Sequence, residues 1–214
     1  MKNEIKTRAG KTGTIKAKIS RMPVVFSKGA EANLYSSSFC SIPALLKMRS
    51  PKKYRPSSLD EKIRRTRTKV EARLLSRAKD AKVLCPLVYS TSEFSITMEK
   101  LSGKIFSGKK ISTLHAKKFA QILASLHSLH IIHGDFTPAN LMDTKKGIAV
   151  IDFGLGFTSS DNEHKAVDLL TMKNSLGKNG AYFVQSYAAA GGSSSVLSLM
   201  KKVESRARYQ ERNI

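Results

Sequence analysis

At 214 residues and 41% hydrophobic composition, the chain can bury one or two cores, which excludes a wholly disordered protein. No apolar run approaches the roughly 20 residues of a membrane span, no apolar stretch follows the basic N-terminus as in a secretory signal, and Cys40 and Cys85 stand far apart in no metal-ligand spacing, as reduced thiols of a cytoplasmic protein would. The 38 Lys and Arg against 16 Asp and Glu give a net charge of +22, which predicts a polyanionic partner, RNA foremost and with no DNA specificity implied; a merely solvated basic surface is the alternative.

In chain order, residues 1–13 are polar and basic and predict a flexible arm. Short strands are expected over 14–20, 23–27 and 32–39, with a turn at Lys28-Gly29, and another over 42–48. A long helix follows Pro56, with capping-box spacing from Ser58 to Glu61. Leu59, Ile63, Thr66, Val70 and Leu74 recur on one face, and Arg64, Arg65, Arg67, Lys69, Arg73 and Arg77 occupy the others. Strands over 83–89 and 95–98 lead to a linker at 99–103. Ser112 or Thr113 opens a helix with Phe119, Ile122, Leu123 and Leu126 on one side. A strand is expected over 148–151, a buried helix over 165–176 and an amphipathic helix over 193–203. Strands with one helix, a linker, then mostly helices make an α+β chain of two lobes, 14–101 and 102–205, with a basic tail over 206–214 and a nucleotide cleft between the lobes.

The strongest chemical signal runs from His133 to Gly154. His133-Gly134-Asp135 with Asn140, then Asp152-Phe153-Gly154, resembles the catalytic loop and metal-binding motif of protein kinases. Asp135 and Asn140 keep the required separation, and Asp152 follows 12 residues later behind an apolar strand. Phosphoryl transfer needs a carboxylate to orient or deprotonate the attacking hydroxyl, which suits Asp135, and hard oxygen ligands for Mg²⁺, which suit Asn140 and Asp152. His133 reads as support for the loop. Lys47, in an apolar strand where an unpaired ammonium is costly, predicts a phosphate-binding lysine paired with Glu71, the lone acid of its stretch of the long helix. Lys28, Gly29, Ala30, Glu31 and Ala32 form an atypical phosphate loop with a single glycine; Met98, Glu99 and Leu101 are placed to meet adenine.

The segments KGAEANLY, LLKMRSPKKYR, LDEKIRRTRTKVEARLL, HGDFTPANLM, IDFGLGF and HKAVDLL together resemble the small atypical kinase of the KEOPS complex, a relative of the RIO kinases. The resemblance implies a reduced, bilobal protein-kinase-like fold and an ATP- and Mg²⁺-dependent enzyme that phosphorylates serine or threonine or hydrolyses ATP. It further implies service to N6-threonylcarbamoyladenosine formation on tRNA, beside a metalloprotein transfer subunit and a small subunit on the N-terminal lobe. It assigns Lys47 to the nucleotide, Glu71 as its partner, Asp135 as acid/base, and Asn140 and Asp152 to Mg²⁺. Asp168 resembles the helix-borne acid that braces the catalytic loop. Val167 follows Gly154 by only 13 positions, too few for the usual activation segment, so a partner surface is expected to complete the site. Arg64, Arg65, Arg67, Arg206, Arg208 and Arg212 are candidate tRNA contacts. A RIO-like ribosome-assembly kinase and a nucleotide-holding scaffold without turnover are the competing readings.

Overall fold

The structure, a computed structural model, describes residues 25–29 and 31–211. The arm over 1–13, the strand expected over 14–20, Ala30 and Arg212 lie outside the described residues.

Strands β1 (Val25–Lys28), β2 (Asn33–Phe39) and β3 (Ile42–Met48) run as an antiparallel meander. Helix α1 (Ser57–Asp80) follows, and β4 (Val88–Thr91) and β5 (Ser95–Glu99) complete a five-stranded sheet in the order β1-β2-β3-β5-β4. Below it, β6 (Gly103–Ile105) leads into α2 (Thr113–Ser128) and β7 (Ile131–Ile132), then β8 (Leu141–Thr144), β9 (Gly147–Val150) and β10 (Phe157–Thr158). Helices α3 (Asn162–Ser175), α4 (Gly180–Ala189) and α5 (Ser194–Glu211) close the lower lobe. Its core gathers Phe106, Phe119, Phe136, Phe153, Phe183 and Tyr187, each almost wholly buried. Helix α2 supplies Ala116, Phe119, Ala120 and Leu123, the i, i+3, i+4, i+7 spacing of a buried helical stripe. Its Ser112 cap and His115 form a reciprocal capping box.

Helix α1 departs from expectation in two ways. It begins at Ser57 behind Pro56 with no side-chain cap, so the box expected at Ser58 does not form; the Asp60 carboxylate instead takes the Lys52 amide at 3.2 Å and the Arg64 guanidinium at 2.6 Å. The inward face matches the apolar series read from the sequence only in part: Leu74 is buried and Val70 packs against the core, but Leu59 is 48% exposed. Beside the buried Thr68, Ala72, Leu74, Leu75 and Ala78, that face carries four charged residues, Asp60, Arg64, Arg67 and Glu71, which meet partners inside the fold. At the far end, Arg77 crosses to the lower lobe, donating to the Leu129 carbonyl at 2.6 Å and the Thr158 hydroxyl at 2.9 Å.

Two other elements differ. Residues 83–87 form no strand, because Pro86 has no N–H to give a ladder, and pairing starts at Val88. Helix α5 runs on to Glu211, so most of the basic tail is helical. Both cysteines are free thiols; Cys85 is buried and Cys40 stands exposed in the β2–β3 turn.

Candidate active site

Alternation along β3 turns Leu45, Lys47 and Arg49 toward the gap between the lobes, where they line a cleft of about 480 Å³. Lys47 sits opposite Leu34 of β2 and Ile96 of β5, in the middle of the sheet. Its ammonium donates to Glu71 Oε1 of α1 at 2.6 Å and to Asp152 Oδ1 at 2.9 Å. Burial alone would lower the Lys47 pKa; the Glu71 and Asp152 carboxylates outweigh it and hold the group above the ordinary lysine value. Asp152 is the mirror case. Burial alone would raise it, and the Lys47 charge, with the Gly154 amide at 2.6 Å, keeps it below the usual carboxylate range.

The floor is assembled differently. Asp168 of α3, 1% exposed, accepts the backbone amides of His133 at 2.6 Å and Gly134 at 2.9 Å, and so suspends the loop that carries Asp135 and Asn140 from the helix below. His133 packs on Phe136 and Phe153, and its Nδ1 accepts the Asp135 amide at 3.3 Å. Burial pushes its pKa down, so the ring is neutral. Gly134 has a positive φ of 78°, and a Cβ there would lie 2.4 Å from the Leu155 carbonyl oxygen. The glycine that stands where ordinary kinases carry arginine is thus a steric requirement of this loop. Asn140 donates Nδ2 to the Asp135 carbonyl at 2.8 Å and to its Oδ2 at 2.9 Å, which fixes the carboxylate facing the cleft.

At the lip, Gly29 donates its amide to the Ala32 carbonyl at 3.0 Å, and a Cβ at Gly29 would come within 2.8 Å of that oxygen. Glu31 bonds to Arg67. At the linker, Met98, Glu99 and Leu101 line the cleft, and the Glu99 amide is already donated to the Leu87 carbonyl at 2.8 Å. The side chain of Lys28 lies outside what the structure describes.

The structure therefore brings Gly29, Glu31, Ala32, Lys47, Met98, Glu99, Leu101, His133, Asp135, Asn140 and Asp152 to one cleft, with Glu71 and Asp168 immediately behind it. Arg64 and Arg67 of α1 are engaged inside the fold, while Arg65 and Arg73 stay on its exposed face. Arg64 is turned inward onto Asp60, with its guanidinium 4.0 Å from the Phe94 ring centroid. Arg67 holds Glu31, and Arg65 reaches Glu93 at 3.1 Å while remaining partly exposed. Arg206 pairs with Glu163 at 2.9 Å on the surface; the side chain of Arg208 is outside the described residues. Sequence reasoning missed Arg49, although its i+2 spacing from Lys47 put it on the same strand face. It also missed Tyr187, whose hydroxyl lies 2.8 Å from His127 Nδ1 beneath the loop. That pair carried no local signal, because Tyr187 belongs to a helix 60 residues away.

Among the described residues, no group of three or more His, Cys, Asp or Glu could hold a metal by itself. The pair Asn140 and Asp152 suits Mg²⁺ bound largely through phosphate oxygens and water, since the Lys47 and Gly154 bonds engage only Oδ1 of Asp152.

A sheet-borne lysine joined to a helix glutamate, above a loop carrying an aspartate and asparagine, defines a protein-kinase-like fold. Residues 45–173 match the RIO domain family, and the chain belongs to it. A Methanobrevibacter smithii protein described as a "Probable bifunctional tRNA threonylcarbamoyladenosine biosynthesis protein" is 40% identical over 86% of this chain, which spans 36% of that protein's length. An Archaeoglobus fulgidus protein, "Probable serine/threonine-protein kinase BUD32 homolog", is 36% identical over 78% of this chain and 89% of its own. The solved Rio2 kinase–ADP/Mg²⁺–phosphoaspartate complex from Chaetomium thermophilum superposes with a TM-score of 0.61 at 12% identity, covering 88% of this chain and 70% of that one. The macrolide 2'-phosphotransferase of Brachybacterium faecium gives 0.60 at 16% identity, covering 84% and 81%. Both share the fold. No described helix is long and apolar enough to cross a membrane.

Proposed function

We propose that the chain is an ATP- and Mg²⁺-dependent phosphotransferase of cytoplasmic tRNA threonylcarbamoyladenosine synthesis. It passes the terminal phosphoryl group of ATP to a serine or threonine hydroxyl or to water, as the kinase subunit of a KEOPS-type assembly. The observation that carries this reading is Lys47 bridging Glu71 and Asp152 across the cleft that Asp135 faces. Lys47 binds the inner phosphates, and Glu71 holds it in place. Asp135, aimed by Asn140, orients the acceptor hydroxyl and takes its proton. Asn140 and Asp152 would hold Mg²⁺, which when bound neutralises charge on the phosphate oxygens. Met98, Glu99 and Leu101 flank adenine, and the loop from Lys28 through Gly29, Ala30 and Glu31 to Ala32 covers the phosphates. Asp168 and His133 keep the loop in register.

The names of the relatives support the tRNA pathway, and the net charge of +22 supports an RNA partner, with Arg65, Arg206 and Arg208 as candidate contacts. The bifunctional relatives extend far beyond the matched part, which supports a transfer subunit as one partner; a small subunit on the upper lobe is the other. The test is Mg²⁺-dependent ATP turnover, measured alone, with the transfer subunit, and with tRNA. Asp135→Ala and Asp152→Ala are each expected to lower it at least ~100-fold. Turnover untouched by both substitutions would end the assignment.

A further inference from the structure

Arg49 is a buried cation that the roles above do not use. Its side chain is 3% exposed, yet it lines the cleft. One edge is engaged: Nη2 donates to Glu71 Oε2 at 2.5 Å, while Lys47 occupies Oε1 of the same carboxylate. The other edge is not. Nη1 is buried and has no hydrogen-bond partner among the described residues. Glu31 Oε2 stands 3.9 Å from it, beyond hydrogen-bond reach, and is bonded to Arg67. A guanidinium edge taken out of water with nothing to bond is costly, and native interiors rarely leave one so unless a ligand completes it.

The register of the sheet says which part of a ligand that edge would meet. Along β3, Leu45 is opposite Met98, at the end of the cleft where adenine belongs. Lys47 is opposite Ile96, one side-chain repeat further out. Arg49 lies another repeat beyond, its amide bonded to the Phe94 carbonyl at 2.9 Å. Each repeat is about 6.6 Å. The series base, inner phosphates, terminal phosphate thus runs in the same direction as Leu45, Lys47, Arg49. Both cations also border one point beside the Asp152 motif: a Cβ built on Gly154 would lie 3.4 Å from Arg49 Nη2 and 3.6 Å from Lys47 Nζ. A planar guanidinium fork matches phosphate oxygens in a way that a lysine point charge does not.

We propose that Arg49 is a second phosphate-binding cation of the cleft, presenting Nη1 to the terminal phosphate of a nucleoside triphosphate and so separating triphosphate from diphosphate. This rests on the nucleotide reading above. Glu31, beside that edge, competes with the phosphate for it.

The experiment is calorimetric titration of the full chain with ADP and with the non-hydrolysable analogue AMPPNP, each with Mg²⁺. Arg49→Gln is expected to weaken AMPPNP by ~10- to 100-fold while ADP stays within about 3-fold. Arg49→Lys restores only part of the loss. An equal drop for both nucleotides would show that Arg49 merely braces Glu71, and no drop would show that it touches neither; either overturns the proposal. Should Arg49→Gln fail to fold, Glu31→Gln decides. Removing the competing carboxylate raises the AMPPNP-to-ADP affinity ratio, and an unchanged or lowered ratio overturns the idea. Wild-type protein that binds neither nucleotide sinks the nucleotide reading, and this inference with it; wild-type binding of both with a flat ratio in the variants sinks this inference alone.

Discussion

Two regions face each other across the cleft and are held by opposite means. On the sheet side, Glu71 is buried between two cations, Lys47 and Arg49, and Asp152 adds a second carboxylate to Lys47. On the loop side, the buried carboxylate of Asp168 is satisfied chiefly by two backbone amides, with the neutral His127 at 3.5 Å beside it. Desolvating charge is expensive, and such a wall is stable only while every partner is present. It is also ready to exchange partners when an anionic ligand arrives. Hydrogen bonds to backbone carry no such exchange, so the floor is fixed geometry. On the function proposed above, the difference separates the part of the site that meets nucleotide from the part that positions the acceptor.

The comparison can be broken most severely at Glu71. Among the described residues, Glu71→Ala leaves Lys47 with Asp152 and strips Arg49 of its bonded carboxylate, and is expected to cost about 3–5 kcal/mol in urea unfolding. A loss below about 1 kcal/mol would mean that charge does not hold the wall. Asp168→Asn is milder. One amide keeps an acceptor and the other meets a side-chain NH₂, for a loss of about 1–3 kcal/mol accompanied by reduced turnover from a slack loop. A loss as large as that of Glu71→Ala would erase the distinction between the two regions.

The smallest effect is in pH. Burial lowers the pKa values of His127 and His133 below the ordinary 6.5, even though Asp168 pulls both upward. Their contribution to stability is complete above that value and is lost as pH falls from it through the folded-state values. Asp152, lowered from 3.8, contributes fully above that value and is lost only as pH falls further, through its own folded value. Lys47, raised from 10.5, contributes fully below that value and is lost as pH rises through its folded value. Thermal unfolding should therefore show a plateau from about pH 6.5 to 9, above which the buried Cys85 thiol, pushed up from 9.0 to about 11, and then Lys47 erode stability, with the floor giving way before the wall on the acid side. His133→Asn should flatten the first part of the acid limb, and a flat profile down to pH 4 in the wild type would contradict the assignment.

Much of this was legible in the sequence. The spacing of Asp135, Asn140 and Asp152 and the strand setting of Lys47 pointed to one cleft, because motif spacing reports what a rigid loop must hold. The lining of α1 was legible only in its apolar part, Val70 and Leu74. Apolar periodicity is blind to an inward face made of Asp60, Arg64, Arg67 and Glu71, and so it selected the exposed Leu59. Helix α4 was missed because it opens on a glycine and has no side-chain cap. The target of Arg77 is chiefly a carbonyl, which no residue pattern encodes.

That arginine carries one further consequence. The connection over residues 99–103 is not the lone tether between the halves of the molecule: Arg77 rivets the end of α1 to the lower half at Leu129 and Thr158. A box latched on two sides cannot gape like a book. On the nucleotide reading proposed above, the edge of the cleft at Gly29 and Glu31 is then the way in and out for the ligand.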